Sequence, residues 1–190
     1  MKQIVQHLRD GKITVEKVTP PVLQAGGVLV KNVASLISAG TEKSKVEVGK
    51  KSYLGKARSR PEDVKRVVAE IKKEGLMTTY KKVMNRLNQP STLGYSSAGI
   101  VLEVSDGVTD LRPGDPVACA GAEYAVHADI VFVPRNLCAA IPDGVTFKRA
   151  AFTTVGSIAL QGLRQTAPTL GETILVIGLG LVGQLLVQML

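Results

Sequence analysis

The sequence predicts a mainly β domain, a small barrel carrying a helical insertion, followed by the opening strand, glycine turn and helix of a parallel α/β domain. Three observations carry this. Short apolar runs punctuated by Gly and Pro fill residues 1–40 and 91–145, the texture of a barrel of short strands. A highly charged stretch with helical periodicity separates them. Finally, Thr173–Leu190 strings together a β-branched apolar run, the pattern Gly178-x-Gly180-x-x-Gly183, and leucines at helical spacing.

Taken in order, Lys12–Val18 alternates as a strand, Pro20-Pro21 breaks it, and Gly27–Ala34 resumes as a largely buried strand. Ser59-Arg60-Pro61-Glu62 reads as a capping box with proline in the first turn, where its missing N–H costs nothing. Val64, Val67, Val68 and Ile71 follow at i, i+3, i+4 and i+7, and Gly75 closes that helix. A second short helix carries Met77, Tyr80, Met84 and Leu87; both apolar stripes are expected to pack on the barrel, with the lysines facing water. Gly99–Val104 and Pro116–Ala120 read as strands around an Arg112–Asp115 turn, and Glu123–Pro134 holds another, with tyrosine and valines alternating. After Pro142-Asp143-Gly144 the texture turns helical through Ala150, Ala151, Ile158, Ala159 and Leu163. Ile174–Ile177 then reads as a parallel strand covered on both faces, and Leu185, Leu186 and Leu190 carry the last helix.

With 190 residues and 45% hydrophobic content the chain can bury one core and begin a second. Nothing after Met1 resembles a secretory h-region and no apolar run has bilayer length, so a cytoplasmic protein without membrane contact is expected. Cys119 and Cys138 lack CxxC spacing and read as buried fillers, not as a disulfide framework or a zinc site. Within residues 42–90, fourteen Lys or Arg stand against six Asp or Glu, so this segment carries the whole net charge of +8. It reads as a solvated face or as a surface that steers anions; nucleic acid is disfavoured because aromatic residues are barely interleaved. His127, between Val126 and Ala128 on an expected strand, should point outward, and a histidine general base is not expected.

The glycine spacing lets the backbone turn, approach a pyrophosphate and pack a helix on the sheet. Gly178, Leu179, Gly180, Leu181, Val182 and Gly183 are therefore the cofactor-binding candidates for NAD or NADP, with a glycine-rich packing turn as the alternative. The acidic residue that would grip the ribose, about 20 residues further on, would fall past Leu190, so an incomplete cofactor domain is expected.

Four motifs in order, Gly40-Thr41-Glu42 after a strand, Leu93-Gly-Tyr-Ser-Ser-Ala-Gly-Ile-Val101, Leu111-Arg-Pro-Gly-Asp-Pro-Val117 and the passage from Ala150 to Gly183, resemble the medium-chain dehydrogenase/reductase superfamily. Ser35-Leu-Ile-Ser-Ala-Gly-Thr-Glu42 with Gly94-Tyr-Ser-Ser-Ala-Gly99 is similar to bi-domain oxidoreductases, in which a Gfo/Idh/MocA-like half follows. The resemblance implies a GroES-like catalytic barrel over residues 1–150 with its basic helical insertion at 43–90. Residues 151–190 would be a linking helix and the first strand, glycine turn and helix of a truncated Rossmann domain. It implies an NAD(P)-dependent oxidoreductase acting on a small-molecule substrate, an anionic one fitting the basic segment, with these residues inactive by themselves. The alternative is a non-catalytic β-barrel binding or assembly module. Substrate, choice of nucleotide and oligomeric state are not written in the residues, and a homo-oligomer is compatible with them.

Departures from the zinc-dependent relatives imply that no zinc is held. Ala39 stands where the first cysteine ligand would be and Tyr95 where the histidine ligand would be. Ala150 and Ala151 offer no third ligand, and the four-cysteine lobe after the Pro-Gly-Asp turn is missing. By position, Thr41 matches the hydroxyl relay and Tyr95 becomes a phenol near the carbonyl, making these the catalytic candidates. A helix cap for Thr41 and a core tyrosine for Tyr95 are the structural alternatives. Thr154 and Ser157 are placed at the nicotinamide end, with helix capping as their alternative.

Overall fold

Strands β1 (Lys2–His7), β2 (Ile13–Lys17) and β4 (Pro90–Thr92) form one antiparallel sheet in the order β2-β1-β4. Strands β3 (Gly27–Ser35), β5 (Ser96–Val104), β6 (Pro116–Ala120), β7 (Ile130–Pro134) and β8 (Cys138–Ala140) form a second, ordered β7-β3-β5-β6-β8 and antiparallel throughout. The computed structural model describes residues 1–7, 10–50 and 61–190; the capping box at Ser59 thus lies outside the described residues. A bridge between Gln3 and Ala128, with Ile4 N–H donating to the His127 carbonyl at 2.8 Å, sews β1 to the segment ahead of β7. The two sheets are thereby joined on that side.

Period-two alternation decides which side chains go inside. Val28, Val30, Val101, Val117, Cys119, Val131 and Val133 point to one face and make the main core with Leu111 and Val126. Ala98 and Ala118 point to the opposite face, where Ile141, Ala150 and Ala151 cover them. Small residues there let helix α4 (Phe147–Ala150) sit close to the sheet, with the Thr146 hydroxyl capping it. The next helix, α5 (Thr153–Thr166), leaves the barrel from this point and ends in a left-handed Ala167.

Both cysteines are buried, as expected, and face one another across β6 and β8. A hydrogen bond to the Cys138 sulfur, with burial, pushes the Cys119 thiol far above the ordinary range, which keeps it protonated.

Helices α1 (Ala39–Lys50), α2 (Pro61–Glu74) and α3 (Leu76–Asn88) make up the insertion. Here the structure corrects part of the sequence reading: Val64, Met77 and Tyr80 are exposed, so these members of the apolar stripes are not buried on the barrel, while Val67, Ile71 and Met84 are half-buried. Helices α2 and α3 pack on each other around Gly75, and Thr79 of α3 is buried, its hydroxyl donating to the Gly75 carbonyl. Two helices that shield one another need less barrel surface, and their remaining apolar side chains stay wet.

A second correction concerns the C-terminal segment. Glu172–Leu179 joins no ladder among the described residues, and Leu175 and Ile177 are 83% and 90% exposed. A parallel strand is buried by neighbouring strands on both sides, and none of the described strands pairs with this one. Helix α6 (Leu181–Met189) begins directly after Gly180, as the periodicity predicts.

Candidate active site

The best-ordered polar cluster lies where β3 hands over to α1. Glu42, in the first turn of α1, folds back so that its Oε1 accepts the Ser38 N–H at 2.9 Å, a variant of the capping box. A carboxylate at a helix N-terminus also meets the positive end of the helix dipole. The carboxylate is buried, and its other oxygen meets His127 Nε2 at 3.0 Å. On the far side of the ring, His127 Nδ1 lies 2.8 Å from Ser35 Oγ, a side chain at the exposed end of β3.

His127 corrects the expectation of an outward-facing surface residue: it is only 7% exposed. The segment from Gly121 to Asp129 consists of turns and bends instead of a strand, and Ala128 N–H closes on the Val126 carbonyl at 3.0 Å. That tight turn cancels the alternation and swings the imidazole inward. Both backbone polar groups are tied down, the N–H to the Leu93 carbonyl at 2.9 Å and the carbonyl to Ile4. Gly94 packs directly against the ring; a Cβ there would lie 2.9 Å from both His127 N and Nδ1, and its φ of +93° suits glycine. A carboxylate only accepts, so the network assigns the proton to Nε2 and leaves Nδ1 to accept from Ser35 in the neutral ring.

The residues expected from sequence take the following positions. Thr41 is exposed in the first turn of α1, its hydroxyl 3.3 Å from Ser38 Oγ. Tyr95 follows Gly94 in a bend, half-buried, its carbonyl accepting the Gly121 N–H at 3.0 Å. Thr41 directly precedes Glu42 and Tyr95 directly follows Gly94, which packs on the His127 ring; no hydrogen bond joins Thr41 to Tyr95 among the described residues. Thr154 is half-buried and donates to the Cys119 carbonyl at 3.4 Å, whereas Ser157 is exposed and bonds back to the Thr153 carbonyl at 2.9 Å. Ser96 Oγ donates to the Ala151 carbonyl at 2.6 Å, so two hydroxyls pin the start of α5 to the barrel.

In the glycine turn, Gly178 has φ +94° and Gly180 caps α6. A Cβ on Gly183 would come within 2.0 Å of the Gly178 carbonyl oxygen, so helix and turn touch backbone to backbone. Nothing lies within 4 Å of where a Cβ on Gly180 would be, which leaves the first N–H groups of α6 open to an anion. These residues fit a dinucleotide phosphate. Ala39, Ala150 and Ala151 carry no ligating side chain, and Cys119 is held as a thiol in the core. Among the described residues no three His, Cys, Asp or Glu side chains converge.

Residues 61–145 match the family described as alcohol dehydrogenase GroES-like domain. Sorbitol dehydrogenase of Gallus gallus is 29% identical across 51% of this chain and 35% of its own length. Two solved structures share the fold across the whole chain: galactitol-1-phosphate dehydrogenase from Escherichia coli, at TM-score 0.69, 22% identity and 52% of that chain, and alcohol dehydrogenase TADH from Thermus sp. ATN1, at TM-score 0.70, 22% identity and 54% of that chain. The present chain thus spans about half the length of these structures and about a third of the sorbitol dehydrogenase. The chain thus matches the alcohol dehydrogenase GroES-like family over residues 61–145, and its mainly β fold is that of the two solved dehydrogenases.

Proposed function

We propose that these residues are the catalytic barrel (1–150) and the opening of the cofactor domain (151–190) of a zinc-independent, NAD(P)-linked oxidoreductase of alcohols or carbonyls. The observation that carries this is the backbone contact between Gly183 and Gly178 under an open Gly180, a cradle that other residues would fill. The bound nicotinamide would supply the hydride chemistry, leaving the protein to orient the substrate and manage one proton. Tyr95 is assigned to donate a hydrogen bond to the developing oxyanion, and Thr41 to link that oxygen to solvent or ribose. Thr154 and Ser157, on the helix pinned to the barrel, would border the nicotinamide end. The zinc-free mechanism is supported by the alanines and tyrosine at the ligand positions.

Lys72, Lys73, Lys81 and Lys82 are exposed on α2 and α3, which suits steering of an anionic small substrate. No described helix is long and apolar enough to cross a membrane. Nucleotide fluorescence titration tests the reading. Residues 1–190 should bind NAD(P)H weakly and show no turnover, because a dinucleotide site also uses a second strand, whereas a protein extended beyond Leu190 should do both. Micromolar binding by residues 1–190 would contradict the division of labour. One tightly held zinc per chain, measured on chelator-free protein, would contradict the metal-free mechanism.

A further inference from the structure

Ser35, His127 and Glu42 form a linear hydrogen-bonded chain that runs from an exposed hydroxyl, through a buried imidazole, to a buried carboxylate clamped by the Ser38 N–H. Each link has the geometry of an acid–base unit: 2.8 Å from hydroxyl to ring, 3.0 Å from ring to carboxylate, and a third group that fixes the ring's tautomer. The outer end opens on a surface cavity of about 310 Å³ whose wall includes Ser35, His127, Asn32, Ile4 and Val15. Glu42 from α1 meets the ring, and the charged residues lining the cavity are Lys2 of β1 and Asp129 of the segment ahead of β7. The Asp129 carboxylate is turned to the backbone, its Oδ2 accepting the Lys2 main-chain N–H at 2.7 Å. Glu42 is the sole carboxylate bonded to the imidazole among the described residues.

A histidine placed only to fill space has no need of a serine at the rim of a cavity. We propose that Ser35–His127–Glu42 is the proton relay of the reaction, with Ser35 taking the proton from the substrate oxygen, His127 as the base behind it, and Tyr95 and Thr41 acting only as hydrogen-bonding hydroxyls to that oxygen; this rests on the oxidoreductase reading above. In alcohol oxidation the substrate O–H proton passes to Ser35 Oγ as the Ser35 proton passes to His127 Nδ1. The C–H bond pair leaves as hydride to the oxidised nicotinamide, and the O–H bond pair becomes the second bond of the carbonyl. One hydride and one proton have left the alcohol. The imidazolium that results keeps its Nε2–H on Glu42, whose buried negative charge offsets the new positive one. Carbonyl reduction is the same path reversed, with the proton returning through Ser35.

The relay makes demands that a packing role does not. In the protein competent for nicotinamide turnover, His127→Gln should lower kcat for alcohol oxidation by about 10²-fold and abolish the acidic limb of the kcat/KM pH profile. Ser35→Ala should lower kcat comparably while leaving KM and the melting temperature near wild type, and Ser35→Thr, which keeps a hydroxyl, should restore most of it. Residues 1–190 provide a readout free of activity. Nitrogen-15 NMR should find the neutral His127 ring protonated at Nε2, with Ser35→Ala perturbing Nδ1 and Glu42→Gln perturbing Nε2. An unchanged acidic limb in His127→Gln, full activity in Ser35→Ala, or a neutral ring protonated at Nδ1 overturns the relay and leaves the oxidoreductase reading intact. Failure of the protein extended beyond Leu190 to bind a nicotinamide nucleotide and turn over alcohols or carbonyls with it overturns that reading instead.

Discussion

Gly94→Ala probes the site at its most crowded point. Two independent costs meet there. The backbone sits at φ +93°, where an L-residue is strained by roughly 1–2 kcal/mol. The new methyl would also lie 2.9 Å from His127 N and Nδ1. The nitrogen cannot retreat without giving up its bond to the Leu93 carbonyl, and overpacking of this kind costs about 1–3 kcal/mol. The sum is roughly 2–5 kcal/mol. Gly107→Ala isolates the first cost, because Gly107 has φ +86° and nothing within 4 Å of the place its methyl would take. Urea unfolding followed by circular dichroism separates the two. With a slope of about 2 kcal/mol per molar urea, Gly107→Ala should lower the midpoint by about 0.5–1 M and Gly94→Ala by about 1–2.5 M. Equal shifts would refute the packing of the imidazole on Gly94 and, with it, the buried position of His127.

Tyr95→Phe keeps the ring and deletes the hydroxyl; turnover in the complete enzyme should fall by about 10²-fold, or about 2.7 kcal/mol, with folding unchanged, and undiminished activity would reduce Tyr95 to packing. Thr41→Val should cost less, and the double variant should fall short of the summed effects if both hydroxyls serve one oxygen. Replacing Lys72, Lys73, Lys81 and Lys82 by Gln should raise the apparent KM for an anionic substrate at low salt and barely move the melting temperature. Even the Lys82–Glu74 pair is solvent-exposed, and such pairs are worth little to stability. The Arg135 guanidinium hydrogen-bonded to Asp110 holds that carboxyl below its ordinary value. A lowered folded-state value means that the stabilisation is whole above pH of about 4 and is lost as pH falls through the folded value, so the melting difference between wild type and Arg135→Gln should shrink from pH 7 toward about pH 2.5. A difference that stays constant with pH would remove the pair from the account.

The barrel strands were legible because alternation and Gly/Pro punctuation are local: Gly27–Ala34, Gly99–Val104 and Pro116–Ala120 all fall within β3, β5 and β6. His127 was not, because a single tight turn at Val126–Ala128 inverts its orientation and no periodicity reports a turn of that size. Glu42 was visible as part of Gly40-Thr41-Glu42, but its partner lies 85 residues away, and only the fold brings the two together. That a chain with two histidines follows a buried strand by a first-turn carboxylate was the one available hint. The exposed stripe residues Val64, Met77 and Tyr80 show the limit of helical periodicity, which identifies an apolar face without saying what covers it. Ile174–Ile177 makes the same point for a strand, since its apolar character is local and its pairing is not.

That unpaired apolar stretch has a bearing on solubility. Between Glu172 and Leu179 the backbone offers ladder hydrogen bonds to any chain that approaches, and Leu175 and Ile177 offer it a greasy surface. Another molecule of the same sequence is the most abundant template, so strand addition between copies competes with every intended ligand. What holds copies apart is their shared charge of +8, a repulsion that reaches about 10 Å at 0.1 M salt and about 3 Å at 1 M. The charge of the basic segment should therefore oppose association through an unpaired stretch more than eighty residues downstream, and light scattering should rise with added salt before any unfolding is seen.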